Sequence, residues 1–189
     1  MRYMLLVVGL MLPMMAMADW VVDGDQSSVY YTSIKNNSVA ENNRFKKVSG
    51  QVTLQGSLDI KIDLGSVDTA ITIRDERVRA LLFNVAKFPV ARIQGEVNSQ
   101  LLSGHGYQQA ELPFVLSMHG LEARYTAKVN VWHVNEKTLL VSSREAVLVN
   151  ATDFNLQDGL DALKGLAGLQ SIAPVVPVGF TVLLRLKAD

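Results

Sequence analysis

The chain has 189 residues, 49% of them hydrophobic, and its 18 basic and 18 acidic residues cancel. So even a balance argues against nucleic acid or an anionic membrane surface as the main partner. With no cysteine there are no disulfides, and burial alone must hold the fold together.

Residues 1–18 read as a targeting segment. Arg2 supplies the positive start, Met4 to Met15 an apolar core, and Ala16-Met17-Ala18 a small-residue cleavage site. The apolar run is shorter than the roughly 20 residues a membrane helix needs, and nothing later resembles a span. Cleavage between Ala18 and Asp19 leaves a domain of 171 residues, 19–189, with 17 basic and 18 acidic side chains and a net charge of −1. That is the length of one domain with a substantial core.

Trp20 to Lys35 predicts a long first strand, interrupted around Asp23-Gly24-Asp25, with Tyr30 and Tyr31 on opposite faces. The polar run Asn36 to Asn43 reads as a loop. Phe45 to Leu54 follows as a second strand, with Val48, Gly50, Val52 and Leu54 on one face. After a turn at Gln55-Gly56-Ser57, the third strand sets Leu58, Ile60, Ile62 and Leu64 against Asp59, Lys61 and Asp63. Such alternation marks a half-buried strand with one wet face.

The stretch from Ser66 to Arg92 breaks the β-pattern. Thr72 can cap a short helix whose first turn carries Asp75 and Glu76, acids that suit the positive end of the helix dipole. Val78, Leu81 and Leu82 recur at helical spacing, Phe83 follows, and Pro89 pushes Phe88 toward an extended conformation. A short helix here would plug one end of a β-structure.

A fourth strand runs from about Val90 to Gln100, and Ser103-Gly104-His105-Gly106 is a turn. The fifth puts Ala110, Leu112, Phe114, Leu116 and Met118 on one side; the sixth, after His119-Gly120, does the same with Ala123, Tyr125, Ala127, Val129 and Val131. The seventh, Thr138 to Asn150, alternates less cleanly. Gln157 to Gln170 predicts a second amphipathic helix through Leu160, Leu163, Leu166 and Leu169, with Asn155 or Asp153 as cap and Gly168 near its end. Pro174 and Pro177 lead into a last strand bearing Val178, Phe180, Val182, Leu184 and Leu186.

Eight strands with short connections imply antiparallel neighbours. A closed up-and-down barrel would leave no exposed edge, and a two-sheet sandwich is the competing architecture.

Chemistry finds little footing. His105, His119 and His133 have no metal-ligand spacing around them and read as ordinary turn or surface histidines. No Gly-x-Ser-x-Gly elbow occurs, and Ser27 has Gln26 rather than a histidine beside it. Asp68 and Asp75 could form a carboxylate pair, but Asp75 suits the helix start and Arg74 or Arg77 can neutralise either acid. The expectation is no catalytic residue, no metal and no cofactor. What remains is apolar surface: the inward positions carry many Val, Ile and Ala residues. Val52, Ala110, Ala127 and Val129 do not obviously fill a lumen, although the residues alone favour a plain packed core.

The order Ser66-Val67-Asp68-Thr69, Arg74-Asp75, Leu82-Phe83-Asn84 and Phe88-Pro89-Val90-Ala91 resembles the signature of the YceI-like family of periplasmic lipid-binding proteins. Trp20-x-Val22-Asp23 with Ser27, Leu116-Ser117-Met118-His119-Gly120 and Asn150-x-x-Asp153-Phe154 extend the resemblance over nearly all of the chain after residue 18. Gln26, Asn43 and Asn150 depart from it, standing where His, Gly and a basic residue are common.

The resemblance implies an all-β, eight-stranded antiparallel lipocalin-like β-barrel with two short helices, after strands three and seven. It also implies an elongated hydrophobic channel for a polyisoprenoid, a prenyl-quinone-type lipid or another long-chain lipid. On that basis Phe83 and Phe88 are candidates for the channel mouth. Phe45, Val52, Ile60, Ile62, Phe114, Leu116, Val129, Val131 and Phe180 are candidates for its wall, and a one-residue slip in any strand would exchange the faces. The protein implied is a periplasmic carrier or store in transient contact with a membrane or membrane proteins, and by analogy a homodimer. A solid-cored, stress-associated periplasmic interaction module is the alternative. An enzyme acting on a lipid is a third reading, which would need a polar cluster inside the channel.

Overall fold

The computed structural model describes residues 19–187, so the targeting segment and its cleavage site lie outside the described residues. The chain folds into a closed antiparallel barrel. The strands are β1 (Trp20–Val22), β2 (Ser28–Lys35), β3 (Val39–Phe45), β4 (Val48–Val52), β5 (Ser57–Asp63), β6 (Val67–Asp68), β7 (Val90–Glu96), β8 (Tyr107–Met118), β9 (Leu121–Asn135), β10 (Thr138–Ser143), β11 (Val147–Asn150) and β12 (Val175–Leu186). The ring runs β1-β4-β5-β7-β8-β9-β10-β12, and β12 closes it on β1 through Trp20 opposite Leu186 and Val22 opposite Leu184. The remaining segments continue ring strands past a break: β2 follows β1, β3 precedes β4, β6 follows β5 and β11 follows β10. Eight long strands therefore appear as twelve pieces.

Side chains repair the backbone bonds lost at the breaks. Between β1 and β2, buried Ser27 donates from Oγ to the Asp23 carbonyl (2.7 Å) and accepts the Leu183 N–H (3.0 Å). Between β5 and β6, Asp63 Oδ1 accepts the Gly65 N–H and Ser66 Oγ donates to the Asp63 carbonyl.

Four boundaries differ from the sequence expectation. The polar run before Phe45 is strand from Val39 onward, because Thr32 bonds Asn42 and Asn43 bonds Ser33 across the hairpin, polar pairs in place of apolar ones. Only the tip is loop, with Asn36 and Asn37 both left-handed, a conformation asparagine tolerates. The fourth strand stops at Glu96, and an unforeseen helix, α2 (Gln100–Ser103), precedes β8. The seventh strand breaks between Ser143 and Val147, and its outward face carries Leu148, which blurred the alternation.

The two foreseen helices are α1 (Thr72–Arg77), which widens into a π turn over Val78–Leu82, and α3 (Gln157–Leu166). Neither uses the expected cap: Ile71 and Leu156 hold the N-cap positions without a side-chain bond. Asp75 instead reaches back, its Oδ1 accepting the Thr69 N–H at 2.7 Å and the Thr69 hydroxyl at 2.6 Å. The second helix stops four residues short of Gln170. Gly168 turns the chain at φ 62° and the Leu169 N–H bonds the Lys164 carbonyl, a left-handed C-terminal cap.

Candidate functional site: an apolar lumen

The inward faces of the ring do not meet at the centre. They leave a cavity of about 250 Å³ with an almost wholly hydrocarbon lining. Strand alternation builds it: β5 contributes Leu58, Ile60 and Ile62, β8 contributes Leu112, Phe114, Leu116 and Met118, and β12 contributes every second residue from Val176 to Leu184. At about 3.3 Å per residue, that last stripe is about 26 Å long, so the void is lined along most of the barrel. Small side chains keep it open where bulky ones would fill it, notably Ala91 on β7 and Ala127 on β9.

Helical segments cover both ends. At one end the π turn and the residue that follows it supply Leu82 and Phe83, and α3 with its approach supplies Leu156 and Leu160. At the other, α2 inserts Leu101 and Leu102, and His133 Nε2 lies 3.1 Å from the Leu101 carbonyl oxygen, tying this plug to β9. His133 is therefore a packing residue of the floor rather than a surface one. His119 stands at the opposite end of β9, 3.1 Å from the Phe154 carbonyl through Nδ1. Among the described residues no group of three or more His, Cys, Asp or Glu could hold a metal ion.

Of the candidates for the wall, Phe45, Val52, Ile60 and Ile62 border the cavity, as do Phe114, Leu116, Val131 and Phe180. Val129 shares the inward face of β9 but is fully buried and does not border the void. The two mouth candidates separate. Phe83 is buried at the lid, its ring 5.9 Å from that of Phe45. Phe88 lies outside, its ring 4.4 Å from His119 and against Gly120, because a turn at left-handed Asn84 carries the chain away from the lumen before Pro89.

The lining residues missed by sequence reasoning include Tyr31, Ile93, Leu139 and Val149 on the strands and the capping leucines 82, 101, 102, 156 and 160. The leucines come from short segments far apart in sequence, and no period connects them. Tyr31 had only its strand parity as a signal, shared with Val29.

Ionisable groups gather at the lid end and on the outer surface. Asp68 pairs with Arg44 and Lys46, both at 3.1 Å, and its carboxyl is held down at about 2, first by the Ala70 N–H and then by Lys46 and Arg44. Together with the Asp75–Thr69 bonds, this occupies both acids of the imagined carboxylate pair in local structure. Arg74 takes Glu41 rather than either of them, and Lys35 Nζ shares the same Glu41 Oε2 at 2.5 Å. That lysine, ahead of Arg74, holds Glu41 below its ordinary value. Burial pushes the Tyr31 phenol above its ordinary value.

The model of the YceI-like domain family matches residues 20–184. Among solved structures, a polyisoprenoid-binding domain from Saccharophagus degradans implicated in plant cell wall breakdown shares 28% identity at a TM-score of 0.85, covering 89% of this chain and 98% of that one. BcnA of Burkholderia cenocepacia shares 22% identity at a TM-score of 0.63, over 86% of this chain and 98% of its own. A mutant CJ YceI protein with a monobromobimane guest shares 14% at 0.54, over 78% and 85%. The last two likenesses concern the fold alone. No curated protein matches the chain.

Proposed function

Because the chain belongs to the YceI-like domain family, we propose that it is an exported lipid-binding protein that carries or sequesters a polyisoprenoid or similar long-chain lipid in its lumen. One observation carries this reading: a hydrocarbon-lined void of about 250 Å³ in the middle of a barrel. Apolar cavities of about 150 Å³ stay dry and take up benzene, so a larger one of the same character excludes water and rewards an apolar guest. Each methylene transferred from water contributes about 0.8 kcal/mol, less the entropy lost on ordering a flexible chain. The volume lies just under the range of about 300–1,000 Å³ for drug-sized pockets, which favours a slender chain over a bulky ring system. The 28% identical neighbour described as a polyisoprenoid-binding domain supports the same ligand class.

Export rests on the segment 1–18, with cleavage between Ala18 and Asp19 delivering residues 19–189 to the periplasm. There the lipid is exchanged by transient contact with a membrane or a membrane protein. No bond is made or broken. Asp68 and Asp75 already serve the fold, and among the described residues the channel wall carries no acid, base or nucleophile apart from the Tyr31 phenol. The void also counts against the solid-cored interaction module, which has no use for it. Mass spectrometry on organic extracts of the protein from its native host should recover a co-purified long-chain lipid. No lipid in the extract, together with no uptake of a prenyl quinone in vitro, would overturn the reading.

A further inference from the structure

The junction between β9 and its neighbours β10 and β11 is laddered over only part of its length. Near the floor β9 is bonded on both sides, to β8 and to β10, whose ladder runs from Thr138 opposite Asn135 to Ser143 opposite Val129. Lys128 still accepts the Arg144 N–H at 2.7 Å, and there the two strands part. Residues 121–127 of β9 keep their ladder to β8 but have no strand partner on the other side among the described residues. The strand β11, which continues β10 along this stretch, is bonded to β12 alone.

Side chains close this seam in place of a ladder. Lys128 Nζ meets Glu145 at 2.9 Å where the strands part, and Tyr125 Oη donates to Asp153 Oδ2 at 2.8 Å farther along. At the lid end His119 Nδ1 lies 3.1 Å from the Phe154 carbonyl. Asp153 belongs to the turn Ala151–Phe154 that follows β11, so the Tyr125 side chain reaches from one margin of the seam to the other. Its ring lies 6.0 Å from that of Phe114, a lumen residue. Burial, and then the bond to Asp153, push its phenol up to about 12, so it stays a donor at neutral pH. Both margins are lumen wall: Ala127 on β9, Val147 and Val149 on β11, and Ala151 after it all border the void.

Parting a laddered junction breaks several backbone bonds together, whereas this stretch is held by three side-chain contacts. The Lys128–Glu145 pair is solvent-exposed on both sides and contributes little. Tyr125 is left as the principal tie in the middle of the open stretch.

We propose that the seam between β9 and β11 is a side gate of the lumen, latched by Tyr125 on Asp153, through which a lipid chain enters and leaves. This rests on lipid carriage and adds to it the route the chain takes.

Stopped-flow fluorescence with cis-parinaric acid, a slender chain, tests it through association and dissociation rates. Tyr125→Phe keeps the ring beside Phe114 and leaves Asp153 at the surface, so the fold should be retained. A loosened latch raises the open fraction of empty and loaded barrels alike. Both rates should therefore rise about fivefold, the worth of one net hydrogen bond, with Kd unchanged. Asp153→Ala should do the same, and the double variant no more than either single change, because the two residues make one bond. Asp59→Asn, which breaks the 2.7 Å pair with Arg92 across the continuous β5–β7 ladder, should leave both rates as they are. Unchanged rates in Tyr125→Phe, equal acceleration in Asp59→Asn, or a Kd weakened through dissociation alone overturns the gate while leaving carriage intact. Failure of the chain to bind wild type removes carriage, and the gate with it.

Discussion

Gly159 on α3 sits directly on the backbone of Leu82: a β-carbon there would lie 2.8 Å from Leu82 Cα and 2.6 Å from the Leu81 carbonyl oxygen. Leu82 and Leu160 both cap the lumen, so this contact holds the lid closed. Gly159→Ala would force α3 away from the π turn at a cost of about 1–3 kcal/mol, the range for overpacking. The expected outcome is a lower Tm and faster loss of bound lipid, read by thermal unfolding and by the dissociation rate of a fluorescent fatty chain.

Ser27 is the joint of the interrupted first strand. Ser27→Ala leaves the Leu183 N–H with no acceptor inside the barrel wall, where a buried unpaired donor costs about 1–3 kcal/mol. The denaturant midpoint should fall while the slope of the transition stays unchanged, since the area exposed on unfolding is the same.

Glu41 links the lid end to acid stability. Its hydrogen bond from Lys35, and then the Arg74 charge, depress its folded value below the 4.5 of the unfolded chain. Its contribution is therefore complete above pH 4.5 and lost as pH falls through the lower folded value. Glu41→Gln should lower Tm at neutral pH and flatten the acid limb of Tm against pH below 4.5; thermal unfolding of both proteins across that limb checks it.

The walls were legible because one side of each strand is wet. Leu58, Ile60 and Ile62 alternate with Asp59, Lys61 and Asp63, and the same parity in β8, β9 and β12 marks the inward side. The break between β10 and β11 preserved that parity, as Val141 and Val147 both line the void, whereas the break between β3 and β4 switched it, as Phe45 and Val52 both line it too. Polar hairpin pairs hid the start of β3, since Asn42 and Asn43 carry no hydrophobic signal even though Asn43 is buried. The capping leucines and the departure of Phe88 depend on how short segments fold back over the barrel ends, which no local pattern records. The void itself is a difference between the space enclosed and the side chains that fill it, and no single residue announces it.

Ala127 offers the most direct measurement. It lies opposite Leu112 in the middle of the wall, is 3% exposed and borders the void. In Ala127→Phe the added ring would occupy the space a lipid chain needs. Titration with a polyprenyl chain should show saturable binding to wild type and at least about tenfold weaker binding to the variant, with the fold retained. Equal affinity in the two proteins would place the lipid somewhere other than the lumen and contradict the account.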